Sequence, residues 1–176
     1  IIKLKCFIIY MSSKISHQIK QRIKPDNVFI TPLELSKKAI DMIDYDESDI
    51  WYDPFKNSGS YYNQYPNECK KYYSEILEGK DFFDFDEKIT IISSNPPYSF
   101  LDKVIEKSLA LEPKIINYLI GVGNLTARRI EMFNNAGYGL TKLHMCKVYK
   151  WYGMSYIIQF EKGKNNIISF DRVVWK

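Results

Sequence analysis

The chain has 176 residues and a formal net charge of +4, from 25 Lys and Arg against 21 Asp and Glu. That length suits one domain with a full hydrophobic core and excludes a large second domain. Cys6, Cys69 and Cys146 are odd in number and widely spaced, which excludes a disulfide framework or a cysteine metal pattern; an intracellular, reducing setting and no metal are expected.

The opening stretch from Ile1 to Tyr10 is apolar, too short to span a membrane and without a small-residue cleavage site, so no membrane partner is expected. Met11 follows at once, and residues 1–10 read either as part of the fold or as an upstream extension of the reading frame. Residues 1–24 are taken as an N-terminal extension and 25–176 as the domain. Lys14, Lys20, Arg22 and Lys24 occupy a stretch without acids, whereas Asp41, Asp44, Asp46, Glu47 and Asp49 form an acidic patch. This polarity suits a nucleic-acid partner on one side, although a solvated face would also carry such lysines.

Thr31 and Pro32 read as a helix start, with Thr31 as N-cap, Pro32 at the first helical position and Glu34 closing a capping box. Leu35, Ala39, Met42 and Ile43 recur on one face. Asp49 to Tyr52 reads as a short strand that runs into Asp53-Pro54-Phe55-Lys56-Asn57-Ser58-Gly59-Ser60. An acid at a strand end, followed by a turn of small residues, suits a nucleotide-like ligand over the carboxyl edge of a parallel sheet. Gly59 allows close backbone approach, and Asn57 tolerates positive φ.

Ile91 to Ser94 is an apolar strand that delivers Asn95-Pro96-Pro97-Tyr98. An amine conjugated to a ring is a poor nucleophile until its lone pair is drawn out of the π-system, and accepting both of its N–H bonds does this. Asn95 Oδ1 is one acceptor. The Pro96 carbonyl is the second, since Pro97 holds the preceding residue extended. Tyr98 offers its ring as a stacking floor.

Downstream, Ser99 reads as the cap of a helix bearing Leu101, Val104, Ile105 and Leu109, which Pro113 stops. Lys114 to Val122 reads as a buried strand, Asn124 as the cap of a helix through Ile130 and Phe133, and Gly137 as its end. Leu140 to Val148 and Ser155 to Phe160 read as a strand pair. The turn between them sets Lys147 and Lys150 among Tyr149, Trp151 and Tyr152, a mixture suited to phosphates and splayed bases. Arg128 and Arg129 are further candidates for backbone contact. Strand and helix alternating before a strand pair predicts an α/β fold with a mostly parallel sheet and one antiparallel member.

The Asp-Pro-Phe loop and the Asn-Pro-Pro-Tyr segment, preceded by Thr31-Pro32, resemble the class I S-adenosylmethionine-dependent amino-methyltransferases of the adenine-N6 DNA type. The resemblance covers most of residues 27–162; a departure is Asn57, where the family has glycine. It implies a single Rossmann-like methyltransferase domain with a twisted, seven-stranded sheet whose antiparallel strand is C-terminal. It implies S-adenosyl-L-methionine as cofactor, held by Thr31, Pro32, Asp53, Pro54, Phe55, Asn57 and Gly59, with Glu75 on the ribose (Glu78 as its competitor) and Asp81 and Phe82 on the adenine. Asn95, Pro96, Pro97 and Tyr98 would be catalytic, and Tyr98, Lys150 and Trp151 would hold the substrate. The interval that carries Glu75 and Asp81 is too compressed for two complete strand-helix units. The implied activity is methylation of adenine N6 in DNA, with RNA adenine or a protein glutamine as alternative targets. A partner subunit supplying target recognition, or a non-catalytic homologue that binds nucleic acid or such a partner, is also compatible with so small a domain.

Overall fold

A computed structural model describes residues 30–147 and 153–171. Its elements in chain order are α1 (Leu33–Asp41), β1 (Ile50–Asp53), β2 (Lys70–Tyr73), β3 (Ile91–Ser94), α2 (Leu101–Ala110), β4 (Ile115–Gly121), α3 (Ala127–Asn135), β5 (Tyr138–Cys146) and β6 (Ser155–Lys162). One sheet results, in the order β2-β1-β3-β4-β6-β5. Strands β2, β1, β3 and β4 run parallel, and β6 lies antiparallel between β4 and β5. This is the expected Rossmann-like α/β arrangement, with the C-terminal strand as the antiparallel one.

Helices on both faces explain why β4 is apolar along nearly its whole length. Successive strand residues point to opposite faces, so Tyr52, Ile92, Ile116, Tyr118 and Ile158 meet Leu101, Val104 and Ile105 of α2 and Ile130 and Phe133 of α3. On the other face Trp51, Ile91, Ile115, Leu119 and Ile157 meet Ala39 and Ile40 of α1 together with Tyr61 and Tyr65 from the turn after β1. A polar row crosses this second face. Ser93, Asn117 and Gln159 stand opposite one another in register and are fully buried. Asn117 Nδ2 donates to Gln159 Oε1 at 3.3 Å and to the Ala39 carbonyl at 3.4 Å, while Ser93 Oγ donates to Asn117 Oδ1 at 3.5 Å.

The structure corrects several local expectations. Pro32, not Thr31, is the N-cap of α1, with no side-chain cap. Phe100, not Ser99, precedes α2, because Tyr98–Phe100 form a 3-10 turn first. Thr126 caps α3 by accepting from Arg129 N at 3.3 Å, which displaces Asn124 from that role. Six strands are present among the described residues instead of seven: between β2 and β3 the chain makes only two 3-10 turns, Ile76–Glu78 and Phe82–Asp84, as the compressed interval requires. Lys150 and Trp151 fall outside the described residues, as does the whole N-terminal basic stretch of Lys14, Lys20, Arg22 and Lys24.

At the end of β1, Asp53 is 1% exposed. Its Oδ1 accepts from Ser94 Oγ at 2.7 Å and Phe55 N at 3.2 Å, and its Oδ2 accepts from Tyr62 N at 3.3 Å. Burial outweighs these donors and pushes its pKa up to about 6. A folded-state pKa above the unfolded value means the folded chain holds the proton more tightly. The group's contribution is therefore full below about pH 4 and is lost as pH rises through about 6. In urea titrations, the parent should lose on the order of 2–3 kcal/mol relative to Asp53→Asn between pH 4 and 7. A pH-independent difference would return Asp53 to an ordinary carboxylate.

At the other edge, a Cβ on Gly139 would lie 2.3 Å from the Lys164 carbonyl oxygen. The segment after β6 docks there through Ile167 N to the Leu140 carbonyl at 2.8 Å and Leu140 N to Asn166 Oδ1 at 2.8 Å. Gly139→Ala should cost about 1–3 kcal/mol by overpacking, read as a lowered melting temperature. Gly123→Ala, whose Cβ meets nothing within 4 Å, is the near-neutral control.

Candidate active site

The carboxyl ends of β1, β2 and β3 bring the sequence motifs together. After Asp53 the chain turns sharply, with Asn57 at φ 46 and Gly59 at φ 85. A Cβ on Gly59 would crowd Asn63 Nδ2 at 2.5 Å, and its positive φ is one that L side chains rarely adopt, so the bend favours glycine. Lys56 N donates to the Ser74 carbonyl at 3.0 Å, which ties the loop to the end of β2. Glu75 completes the clasp: its Oε2 accepts from Asn57 N at 2.7 Å and its Oε1 from Leu77 N at 3.0 Å. Each oxygen keeps a lone pair for a further donor. Glu78, its competitor in the sequence, turns outward and pairs with Lys56 Nζ at 2.7 Å.

Asp81 opens the next turn, where its Oδ1 accepts from Phe83 N at 3.0 Å. Its Oδ2 is buried with no partner among the described residues. A buried carboxylate oxygen without a donor is costly, and a ligand amino group at this strand-end cradle would satisfy it. The neighbouring Phe82 is only 3% exposed and packs in the core, 5.2 Å from the Phe55 ring. Phe83, half-buried and 6.4 Å from Phe100, keeps a free surface that Phe82 lacks. The sequence carries two adjacent phenylalanines, and periodicity in a 3-10 turn does not say which one faces inward.

At the end of β3, Asn95 Nδ2 donates to Thr31 Oγ1 at 3.2 Å. The hydroxyl expected to cap a helix thus holds the Asn95 amide, and Thr31 is itself buried. Among the described residues no donor reaches Asn95 Oδ1 or the Pro96 carbonyl. Tyr98 is 37% exposed at the start of its turn. Burial pushes its phenol up to about 12, so it offers a neutral ring and not a base. Arg128 and Arg129 do not face outward as free cations: both bind Asp102 of α2, Arg129 through Nε at 2.7 Å. No cluster of three His, Cys, Asp or Glu among the described residues could hold a metal ion, and no helix among them is long and apolar enough to cross a membrane.

Neither a protein-family model nor a curated protein sequence matches the chain. Its fold is nevertheless similar to those of solved methyltransferases. Magnesium protoporphyrin IX methyltransferase from Synechocystis PCC 6803, solved with bound SAM, superposes with a TM-score of 0.62 at 10% identity, over 74% of this chain and 79% of that one. A tRNA methyltransferase from M. jannaschii gives 0.59 at 17% identity, over 78% and 52%. An E. cuniculi complex responsible for methylation of the eRF1 translation termination factor gives 0.56 at 15% identity, over 76% and 98%. The likeness is one of fold: the chain has the α/β architecture of class I methyltransferases.

Proposed function

We propose that the chain is an S-adenosylmethionine-dependent methyltransferase that modifies the exocyclic N6 amine of adenine in DNA. The observation that carries this reading is the Asn95 amide, tied at Nδ2 by Thr31 and, among the described residues, unpartnered at Oδ1, as is the neighbouring Pro96 carbonyl. Two acceptors at a strand end take both N–H bonds of a planar amine and hold its lone pair out of conjugation. Tyr98 supplies the floor on which a flipped base stacks, which offsets part of the few kcal/mol that flipping costs.

The cradle formed by β1, β2 and β3 fits the cofactor. When bound, S-adenosylmethionine supplies an electrophilic methyl group activated by the positive charge on sulfur. Asp81 Oδ2 would accept from its adenine amino group, Glu75 from its ribose hydroxyls, and Phe83 would cover its ring. The bend at Asn57 and Gly59 admits its methionine half against the backbone. Catalysis is then positioning, without a strong base.

A second reading is transfer to a side-chain amide of a protein. A planar primary amide presents the same two N–H bonds, and the E. cuniculi complex of similar fold acts on a protein. Labelled S-adenosylmethionine offered with DNA, RNA and protein substrates in parallel, followed by nucleoside and peptide mass analysis, decides between them.

Asn95→Ala should abolish transfer while cofactor affinity in a calorimetric titration stays within about twofold of the parent, since Asn95 faces the amine. Retained turnover would remove Asn95 from catalysis. Asp81→Ala should weaken cofactor binding by about tenfold to a hundredfold, the loss of a hydrogen bond to a charged acceptor. Parent-like affinity would place the cofactor's adenine elsewhere.

A further inference from the structure

Beyond β4 the chain makes a 3-10 turn, Val122–Asn124, before α3. Arg129 reaches back to it: Nη1 donates to the Asn124 carbonyl at 2.8 Å and to Asn124 Oδ1 at 2.9 Å, while Nε is anchored on Asp102 Oδ1 at 2.7 Å. A guanidinium only donates, so the atom that Asn124 turns towards it must be oxygen. The orientation of the Asn124 amide is thereby set by chemistry, and its NH2 end faces the other way.

That end points towards the catalytic segment. Asn124 Nδ2 lies 3.3 Å from the position a Cβ would take on Gly121, and Tyr98 Cε2 lies 3.6 Å from the same point. No acceptor among the described residues takes Asn124 Nδ2. Gly121 also leaves open the space that any side chain would close against this amide. A donor with a fixed aim, no partner and cleared space stands beside the ring proposed as the floor of the substrate site.

We infer that Asn124 reads the substrate, donating to the acceptor beside the amine that Asn95 receives; this rests on the reading of the site given above. Asn95 presents an acceptor because Thr31 holds its nitrogen, and Asn124 presents a donor because Arg129 holds its oxygen. The pair matches a planar edge carrying an amine and an acceptor side by side. Adenine has such an edge, with a ring nitrogen next to N6. A substrate lacking the acceptor leaves the half-buried Asn124 amide unpaired, the penalty on which polar discrimination rests.

The test measures kcat/KM for the parent, Asn124→Ala and Asn124→Asp on an adenine oligonucleotide and on its 1-deazaadenine and 7-deazaadenine analogues, with a glutamine peptide in parallel. The parent should lose about tenfold to a hundredfold on one deaza analogue. Asn124→Ala should start lower by a similar factor on adenine and show no further loss on that analogue. Asn124→Asp keeps the Arg129 contact and presents oxygen where nitrogen stood, so its loss should be at least as large. Unchanged S-adenosylmethionine binding in both variants, by calorimetry, would show that the loss arises at the substrate. Parent activity that ignores both deaza substitutions, or discrimination that survives Asn124→Ala, overturns the inference. Transfer to the peptide alone refutes the adenine reading, but Asn124→Ala must then lose the same factor on the glutamine amide, whose carbonyl is the acceptor. Full retention there overturns the role of Asn124, and transfer to neither substrate overturns both.

Discussion

The Asp53 carboxylate is the knot on which the site depends. One oxygen binds the Ser94 hydroxyl, the residue before Asn95, and the Phe55 amide; the other binds the Tyr62 amide beyond the turn. The loop proposed to hold the cofactor and the segment proposed to hold the target amine therefore hang from one buried side chain. Burial makes its charge costly, and three donors offset much of that cost without restoring an ordinary pKa. Asp53 is thus a brace for the pocket, with its lone pairs directed into the protein. The ligand-facing roles are proposed for groups with spare capacity, Glu75 and the buried Oδ2 of Asp81.

The chemistry left to the protein is mostly aim. In the proposed site amide groups do the work, and each is held at one end by a neighbour so that the other end has a defined direction. Thr31 does this for Asn95, and Arg129 does it for Asn124. An unheld amide would rotate between donor and acceptor at little cost and specify nothing. Tyr98, neutral because burial raises its phenol, adds surface without adding charge.

Much of this was legible in the sequence where local rules decide the outcome. Apolar runs gave β1, β3 and β4, and the strand pair at the end gave the antiparallel member. Asn57 was readable as a residue at positive φ. Strand β2 was not readable as a strand: Lys70-Lys71-Tyr72-Tyr73 is a part-exposed edge, where packing on one side replaces an apolar run. The three caps were misplaced by one or two residues because threonine, serine and asparagine serve turns as readily as helix starts. The contacts Thr31–Asn95 and Asn124–Arg129 join residues that no spacing rule connects, the first across 64 positions. Phe82 and Phe83 differ only in which way a short turn faces them.

The buried row of Ser93, Asn117 and Gln159 has a consequence for the precision of this arrangement. Sliding β3 or β4 by one residue would turn these polar groups into the apolar face opposite, and sliding by two would leave an amide unpaired in the core. Neighbouring strands of Ile-rich sequence have little else to fix their relative height. Asn95 lies two positions beyond Ser93 and Gly121 four beyond Asn117, so the row acts as a ruler. Amides buried in the core set how far apart the proposed acceptor and donor of the site stand.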